Sequence, residues 1–453
     1  MARSQRPGNR RRRQAPVAQE LPPPVEVDIV DLNHDGQGVC RHQGRTLFVS
    51  GALPGERVLA RYRQRRGKFD VAIAQQLISP SEQRVKPGCR HFGRCGGCQL
   101  QHLDGGAQRH HKQQLLLDTL QRIGGVTPRH VLPVVADHPW QYRRRARLAV
   151  RWLKKAGCAE LGFRESGSEQ LVAISECPIL APPFDQLIQP LAELVASLDG
   201  RERVRQIELL AMDSGNAVNV HMLGSLSEQD RLRLQTFGWD RQLQLYRQSG
   251  GTDTLEALSE PAQSLSYRVA SDDVSLQVTP GSFVQVNGAV NNKLVDQALQ
   301  LLQLNGSERV LDLFCGLGNF TLPLACRADF VVGVEGSQTA IDLAGNNVTA
   351  NRIDNVEFHV ADLSQCQRHR PWGKARYDVV VLDPPRSGAR EVLPLVTASG
   401  AGKLLYVSCH PGSLARDLGV LVNDFGYQLE SVAAVDMFPQ TAHLEALVLL
   451  KKA

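Results

Sequence analysis

No apolar stretch in this chain runs far enough to span a bilayer, because each one is cut by charge, glycine or proline. The basic N-terminus has no apolar segment behind it, which excludes a secretory signal. The Pro-rich sequence that follows lacks the amphipathic period of a mitochondrial presequence. The ten cysteines do not have the spacing of a small disulfide scaffold, so metal or catalytic roles are expected for some of them. No internal repeat is present. These absences predict a cytoplasmic protein with no membrane partner, and 453 residues suffice for two or three domains.

What is present is unevenly placed. The first thirteen residues hold six Arg and no acid, which equals the whole formal excess of +6. Residues 1–21 read as a disordered arginine-rich tail that either attracts phosphate or only solubilises. Further basic runs lie at 61–68 and 143–151. Residues 22–80 alternate over short segments with Gly-marked turns, one of them at 35–38, and predict a small five-stranded β-barrel. Residues 81–268 read as a mixed α+β central domain with a helix over 108–123 and strands over 147–152 and 206–212. From 269 to 453 short β-branched runs alternate with helical spans, as in an α/β sheet of mainly parallel strands buried on both faces. The last run, 443–452, reads as an edge strand.

Within the α/β part, the segment from Asp312 through Phe314, Gly316 and Gly318 to Asn319 leaves a predicted strand and opens a helix. Its glycines let the backbone approach a ligand at the carboxyl end of the first strand. Glu335 ends the next strand, twenty-three residues after Asp312, where an acid suits a ribose diol. Asp362 ends the third strand, in reach of an adenine amino group. The third glycine of a dinucleotide fingerprint is missing, which disfavours NAD. Glycine loop and two acids in register resemble a Rossmann-like class I methyltransferase, which implies S-adenosylmethionine as cosubstrate.

Three further motifs end or precede strands: Asp383-Pro-Pro-Arg386, Ser408-Cys409-His410-Pro411, and the run from Phe438 through Pro439, Thr441 and His443 to Glu445. Uracil C5 is too poor a nucleophile to take a methyl group unaided. A thiolate adding to C6 makes C5 nucleophilic, and a base must later remove the C5 proton. Cys409 is the expected nucleophile, favoured as thiolate by a following helix N-terminus. Glu445 is the expected base, preferred to His443, and Asp383 would hold the pyrimidine edge or the cofactor. The three motifs together resemble the uracil-C5 RNA methyltransferase family. Its members usually carry Asn where this chain has His410. Cytosine-C5 enzymes carry Pro-Cys where this chain has Pro384-Pro385, which disfavours cytosine. The resemblance also implies that Gln285, in the run from Gly281 to Asn287, helps hold the cofactor.

Cys89, Cys95 and Cys98 crowd one Gly-rich loop, and Cys177 precedes a proline. Four thiolates suit zinc or an iron–sulfur cluster equally on chemistry alone. The Cys95-Gly-Gly-Cys98 run up to His102 resembles the [4Fe–4S] loop of one branch of the family, which implies that cluster. Its spacing is not that of radical S-adenosylmethionine enzymes. The stretch from Gly36 to Ala60 resembles the TRAM domain, an OB-like RNA-binding barrel. Barrel, cluster and catalytic domain together resemble the branch acting on 23S rRNA, expected here as the partner of a monomer. A dual-site 23S or a tRNA uracil-C5 enzyme, and a catalytically silent RNA-binding or assembly factor, are the alternatives.

Overall fold

The computed structural model describes residues 21–258, 264–270, 274–365 and 367–452. The arginine tail of residues 1–20 lies outside the described residues. The chain forms two compact units, Met1–Glu82 and Gln83–Ala453.

In the first unit, residues 25–32 make one bent strand that pairs at both ends of the sheet. Val25–Asp28 runs antiparallel to Arg57–Arg65, and Asp31–Leu32 runs antiparallel to Gly38–His42. Gly38–His42, Arg45–Ser50, Phe69–Ser79 and Arg57–Arg65 complete the circuit, so the sheet closes on itself as a five-membered barrel. Alternation puts Val27, Cys40, Leu47, Val49, Val58 and Ala60 inside. Gly38 is required there, since a Cβ would meet Ile29 at 2.8 Å and the Ala52 carbonyl at 2.9 Å.

The second unit holds two large sheets. The seven-stranded one centres on Arg145–Leu153, Val204–Met212 and Gly215–Met222, with helices Ile188–Ser197 and Glu228–Asp240 on its apolar face. The eight-stranded sheet runs in the order Val356–Val360, Phe330–Glu335, Arg309–Leu313, Val379–Leu382, Lys403–Ser408, Glu445–Lys452, Tyr427–Val435 and His130–Val131. Its first five strands are parallel, as expected from their apolar runs, and Val379–Leu382 is buried throughout. Apolar cores cover both faces, one under helix Gly288–Leu302 and one under helix Pro411–Asn423. This is a Rossmann-like sheet. Its last strand is not an edge: Glu445–Lys452 lies between Lys403–Ser408 and Tyr427–Val435, antiparallel to both. Its near-continuous apolar run is what an interior strand needs.

Helix Gly105–Thr119, capped by the Asp104 carboxylate, begins earlier than expected and passes into a π-turn at Leu120–Gly124. Leu116 and Leu120 enter the core beneath Pro411–Asn423. Residues of the central region thus build the eight-stranded sheet's flank. The two helical segments meet without side chains between them: a Cβ on Gly124 would lie 2.5 Å from the Ala415 carbonyl, and one on Gly419 would lie 2.9 Å from the Gly124 carbonyl. Gly124→Ala should therefore lower stability by about 1–3 kcal/mol. Gly345→Ala, in helix Gln338–Asn351 with open space around it, should raise it by about 1 kcal/mol. Urea unfolding midpoints moving in opposite directions check both.

Candidate active site

The crevice outside the carboxyl ends of the parallel strands collects the first group of expected residues. After Arg309–Leu313 the chain turns through Phe314, Gly316 and Gly318, all with positive φ (67°, 57° and 99°). The Phe314 and Cys315 amides donate to the Val334 carbonyl. Asp312 is buried beneath the turn. Its Oδ2 accepts the Thr321 hydroxyl at 2.6 Å and its Oδ1 has no partner among the described residues. Burial, followed by the Asp383 and Glu335 charges, pushes its carboxyl up to about 7, although Thr321 opposes. Glu335 accepts the Gly316 amide at 3.2 Å and the Ser337 amide at 3.0 Å. Asp362 is exposed past Val356–Val360, held below its ordinary range by the Ser364 hydroxyl. Side-chain-free approach at the glycines, an acid at the second strand and an orphaned buried acid oxygen fit a nucleoside-bearing donor.

Asn319 makes a reciprocal amide pair with Asn291, at 2.9 and 3.0 Å, which ties the glycine turn to helix Gly288–Leu302. Asn287, rather than Gln285, caps that helix. Gln285 is buried, and its carbonyl accepts from Arg144 Nε at 2.7 Å. Of the arginines in the basic run 143–151 only Arg144 is buried, while Arg147 and Arg151 are exposed but paired with acids. Arg144 is buried against Tyr267, 4.0 Å from the ring centroid, and Arg151 pairs with Glu160. Arg145 and Arg147 converge on Glu208, which also accepts the Gly281 amide at 3.1 Å. Burial alone would raise the Glu208 carboxyl, but His221, Arg145 and Arg147 bring it down to about 2.

The residues expected to react are brought together by sheet register. Ser408 pairs with Ala446 across antiparallel strands, so the next position sets Cys409 opposite Glu445. Asp383 leaves the neighbouring parallel strand. Glu445 is 6% exposed, and its Oε2 has no partner among the described residues. Burial and then the Asp383 charge push its carboxyl up to about 8, opposed by Lys112. Burial pushes Asp383 up to about 7. His410 caps helix Pro411–Asn423, its Nδ1 accepting the Ser413 amide at 3.1 Å, so Cys409 does precede a helix N-terminus. Against the favourable helix N-terminus, burial first and then Glu445 and Asp383 raise the thiol, with the Arg386 guanidinium opposing. His443 lies 3.5 Å from Arg386 on the exposed side of the same loop.

Cys89, Cys95, Cys98 and Cys177 line one cavity of about 80 Å³ with Arg143 and Phe163. The His91 and Gly97 amides point at Cys89 and Cys95 sulfurs, each at 3.4 Å. Burial and then the neighbouring thiols push Cys98 up to about 11 and Cys177 to about 12. Among the described residues no three His, Cys, Asp or Glu side chains form a group suited to a single metal ion.

Sequence reasoning missed Gln108 and Lys112, which reach the loop before Glu445 from helix Gly105–Thr119. Their signal was a polar continuation of the Leu116 and Leu120 stripe at four-residue spacing. Lys112 Nζ donates to Asp436 at 2.7 Å and to the Phe438 carbonyl at 3.0 Å.

The sequence model of the tRNA (uracil-5-)-methyltransferase family matches residues 110–453, and that of the TRAM domain matches residues 24–61. The chain is 46% identical over 430 residues to a Xylella fastidiosa protein named 23S rRNA (uracil(1939)-C(5))-methyltransferase RlmD, covering 94% of this chain and 97% of that protein. A protein of the same name from Alkalilimnicola ehrlichii is 44% identical, with 98% and 99% covered. The crystal structure of Pyrococcus abyssi tRNA (uracil-54, C5)-methyltransferase with S-adenosyl-L-homocysteine superposes with TM-score 0.72 at 27% identity, covering 94% of this chain and all of that one.

The electrostatics of the pocket predict slow alkylation of Cys409 by iodoacetamide below the ordinary thiol range. Above pH about 8, where Glu445 is ionised, Glu445→Gln removes a negative charge beside the thiol and should accelerate that alkylation, whereas well below pH 8 the two proteins should react alike. Peptide-resolved mass spectrometry separates Cys409 from the exposed Cys158 and Cys326.

Proposed function

The chain belongs to the tRNA (uracil-5-)-methyltransferase family, and from that membership we propose that it methylates uracil C5 in 23S rRNA with S-adenosylmethionine as donor. The observation that carries this reading is the near full-length identity to relatives named for that reaction. The half-buried thiol and the buried carboxyl, opposite each other in the strand register, support the chemistry. A tRNA substrate has the Pyrococcus abyssi enzyme in its favour, at much lower identity. That enzyme leaves fewer residues of this chain unmatched than the TRAM match contains, so possession of the barrel does not separate the two substrates.

Cys409 loses its proton to water and its sulfur bonds to C6, sending the C5–C6 π electrons onto C5 and the O4 carbonyl. Bound S-adenosylmethionine supplies the methyl group to C5, its carbon–sulfur bond breaking in exchange. Glu445 then takes the C5 proton, the C5–C6 double bond re-forms, and the Cys409 thiolate leaves. Burial that raises the Glu445 carboxyl makes it a stronger base once ionised. Gln285, Phe314, Asn319, Glu335, Asp362 and Asp383 are assigned to hold the donor around the glycine turn. The protein acts as a cytoplasmic monomer on this reading, and no helix among the described residues is long and apolar enough to cross a membrane.

Cys89, Cys95, Cys98 and Cys177 are assigned to a [4Fe–4S] cluster. Four thiols spread around one cavity suit several irons, each taking one thiolate, better than one zinc. The cluster would staple the loop, and methyl transfer draws no electrons from it. Anaerobically purified protein should contain about four irons, and Cys98→Ser should lower soluble yield; one zinc and no iron would overturn the assignment.

C5-methyluridine mapping in 23S rRNA and tRNA from a deletion strain tests the substrate. Wild-type complementation should restore one rRNA site and Cys409→Ala should not. Glu445→Gln should instead accumulate a denaturation-resistant protein–RNA adduct carrying label from the donor methyl. Turnover by Cys409→Ala would exclude the covalent route.

A further inference from the structure

Residues 436–444 lead into Glu445 and are gripped from elements far away in the chain. Gln108 Nε2 donates to the Gln440 side-chain oxygen at 3.1 Å, and Gln108 Oε1 accepts the Gln440 amide at 3.1 Å. The Gln440 carbonyl accepts the amides of Gln99 and Leu100, at 3.1 and 3.0 Å, from the loop that carries Cys98. Tyr142 donates its hydroxyl to the Pro439 carbonyl at 3.0 Å. Gln440 itself sits at φ 67°, a conformation a non-glycine residue keeps only when its surroundings impose it. Lys112 and Asp436 are 1% and 3% exposed and paired at 2.7 Å. Apolar residues at 108 and 112 would extend the Leu116 and Leu120 stripe at less desolvation cost. Helix packing therefore does not account for this polar pair.

We propose that Gln108 and Lys112 are positioning residues for the proton-removal step, holding the 436–444 loop so that the Glu445 carboxylate meets C5. The proposal rests on the reading of Glu445 as the base. The groups acting on Glu445 are Asp383 from the neighbouring strand and Lys112 from helix Gly105–Thr119. Cys409 faces it across the strand pair, Arg386 and His443 stand at the rim, and Asp436 holds Lys112. Burial lowers the Lys112 ammonium, while Asp436 first and Glu445 last hold it up. Removing the Lys112 charge raises the Glu445 carboxyl further. Proton removal needs the ionised carboxylate, so its acid limb must move to higher pH.

Full-length protein, 23S rRNA fragment and labelled donor in single turnover separate adduct formation from release. Gln108→Leu should form adduct at the wild-type rate and release it about tenfold or more slowly with an unmoved limb. Lys112→Met should slow release similarly and move the limb of the release rate to higher pH, and Lys112→Arg should restore the limb. Glu445→Gln is the reference. If it accumulates no adduct, the assignment of the base fails. If it does while Gln108→Leu and Lys112→Met release normally, the positioning role is overturned. Slowed release in Lys112→Met with an unmoved limb would overturn its electrostatic part. Should Lys112→Met not fold, Asp436→Asn keeps the shape and must slow release; normal release there overturns the proposal.

Discussion

The antiparallel pairing of Glu445–Lys452 with Lys403–Ser408 is the constraint on which the site depends. Period-two geometry leaves no freedom once Ser408 faces Ala446. A one-residue slip would turn Glu445 to the other face of the sheet and leave Cys409 without its carboxyl. Interior burial of both strands between two apolar cores fixes that register by packing, because a one-residue slip would exchange Ala446, Val448 and Leu450 with Leu447 and Leu449 between cores shaped for the other set.

Bringing the groups together away from bulk water has an electrostatic cost. Asp383, Glu445 and Cys409 are each pushed towards the protonated form by burial, and the carboxyls oppose the thiolate. Arg386 and the His410-capped helix act the other way. The thiol of Cys409, the proposed nucleophile, is therefore disfavoured as thiolate in the free protein. Cysteines elsewhere follow the same physics: burial and then neighbouring thiols raise Cys95, Cys98 and Cys177, and a bound cation would reverse that penalty.

The central region is structurally part of the catalytic apparatus. Glu208 and its arginines hold the Gly281 amide, Arg144 holds the Gln285 carbonyl, and Gln99, Gln108 and Lys112 hold the loop before Glu445. The loop proposed to hold the donor and the loop before the proposed base are both anchored on residues between 99 and 208. That explains why residues 83–453 form one compact unit.

The sequence by itself determined the elements whose cause is local. Alternating runs specified the barrel, β-branched runs specified the parallel strands, and glycine spacing specified the turn after Leu313, since φ preference and burial periodicity act within a few residues. Motifs identified Cys409, Glu445 and Asp383 as candidates. Only the tertiary structure decided what depends on distant pairing. It made Glu445–Lys452 an interior strand, set the thiol pKa upward despite the helix cap, and internalised Arg144 from a run that reads as a basic patch. It also brought Lys112 to Asp436, 324 residues away. No local pattern encodes such a contact, because its energy arises from desolvation and charge pairing between segments that meet only when the sheets close.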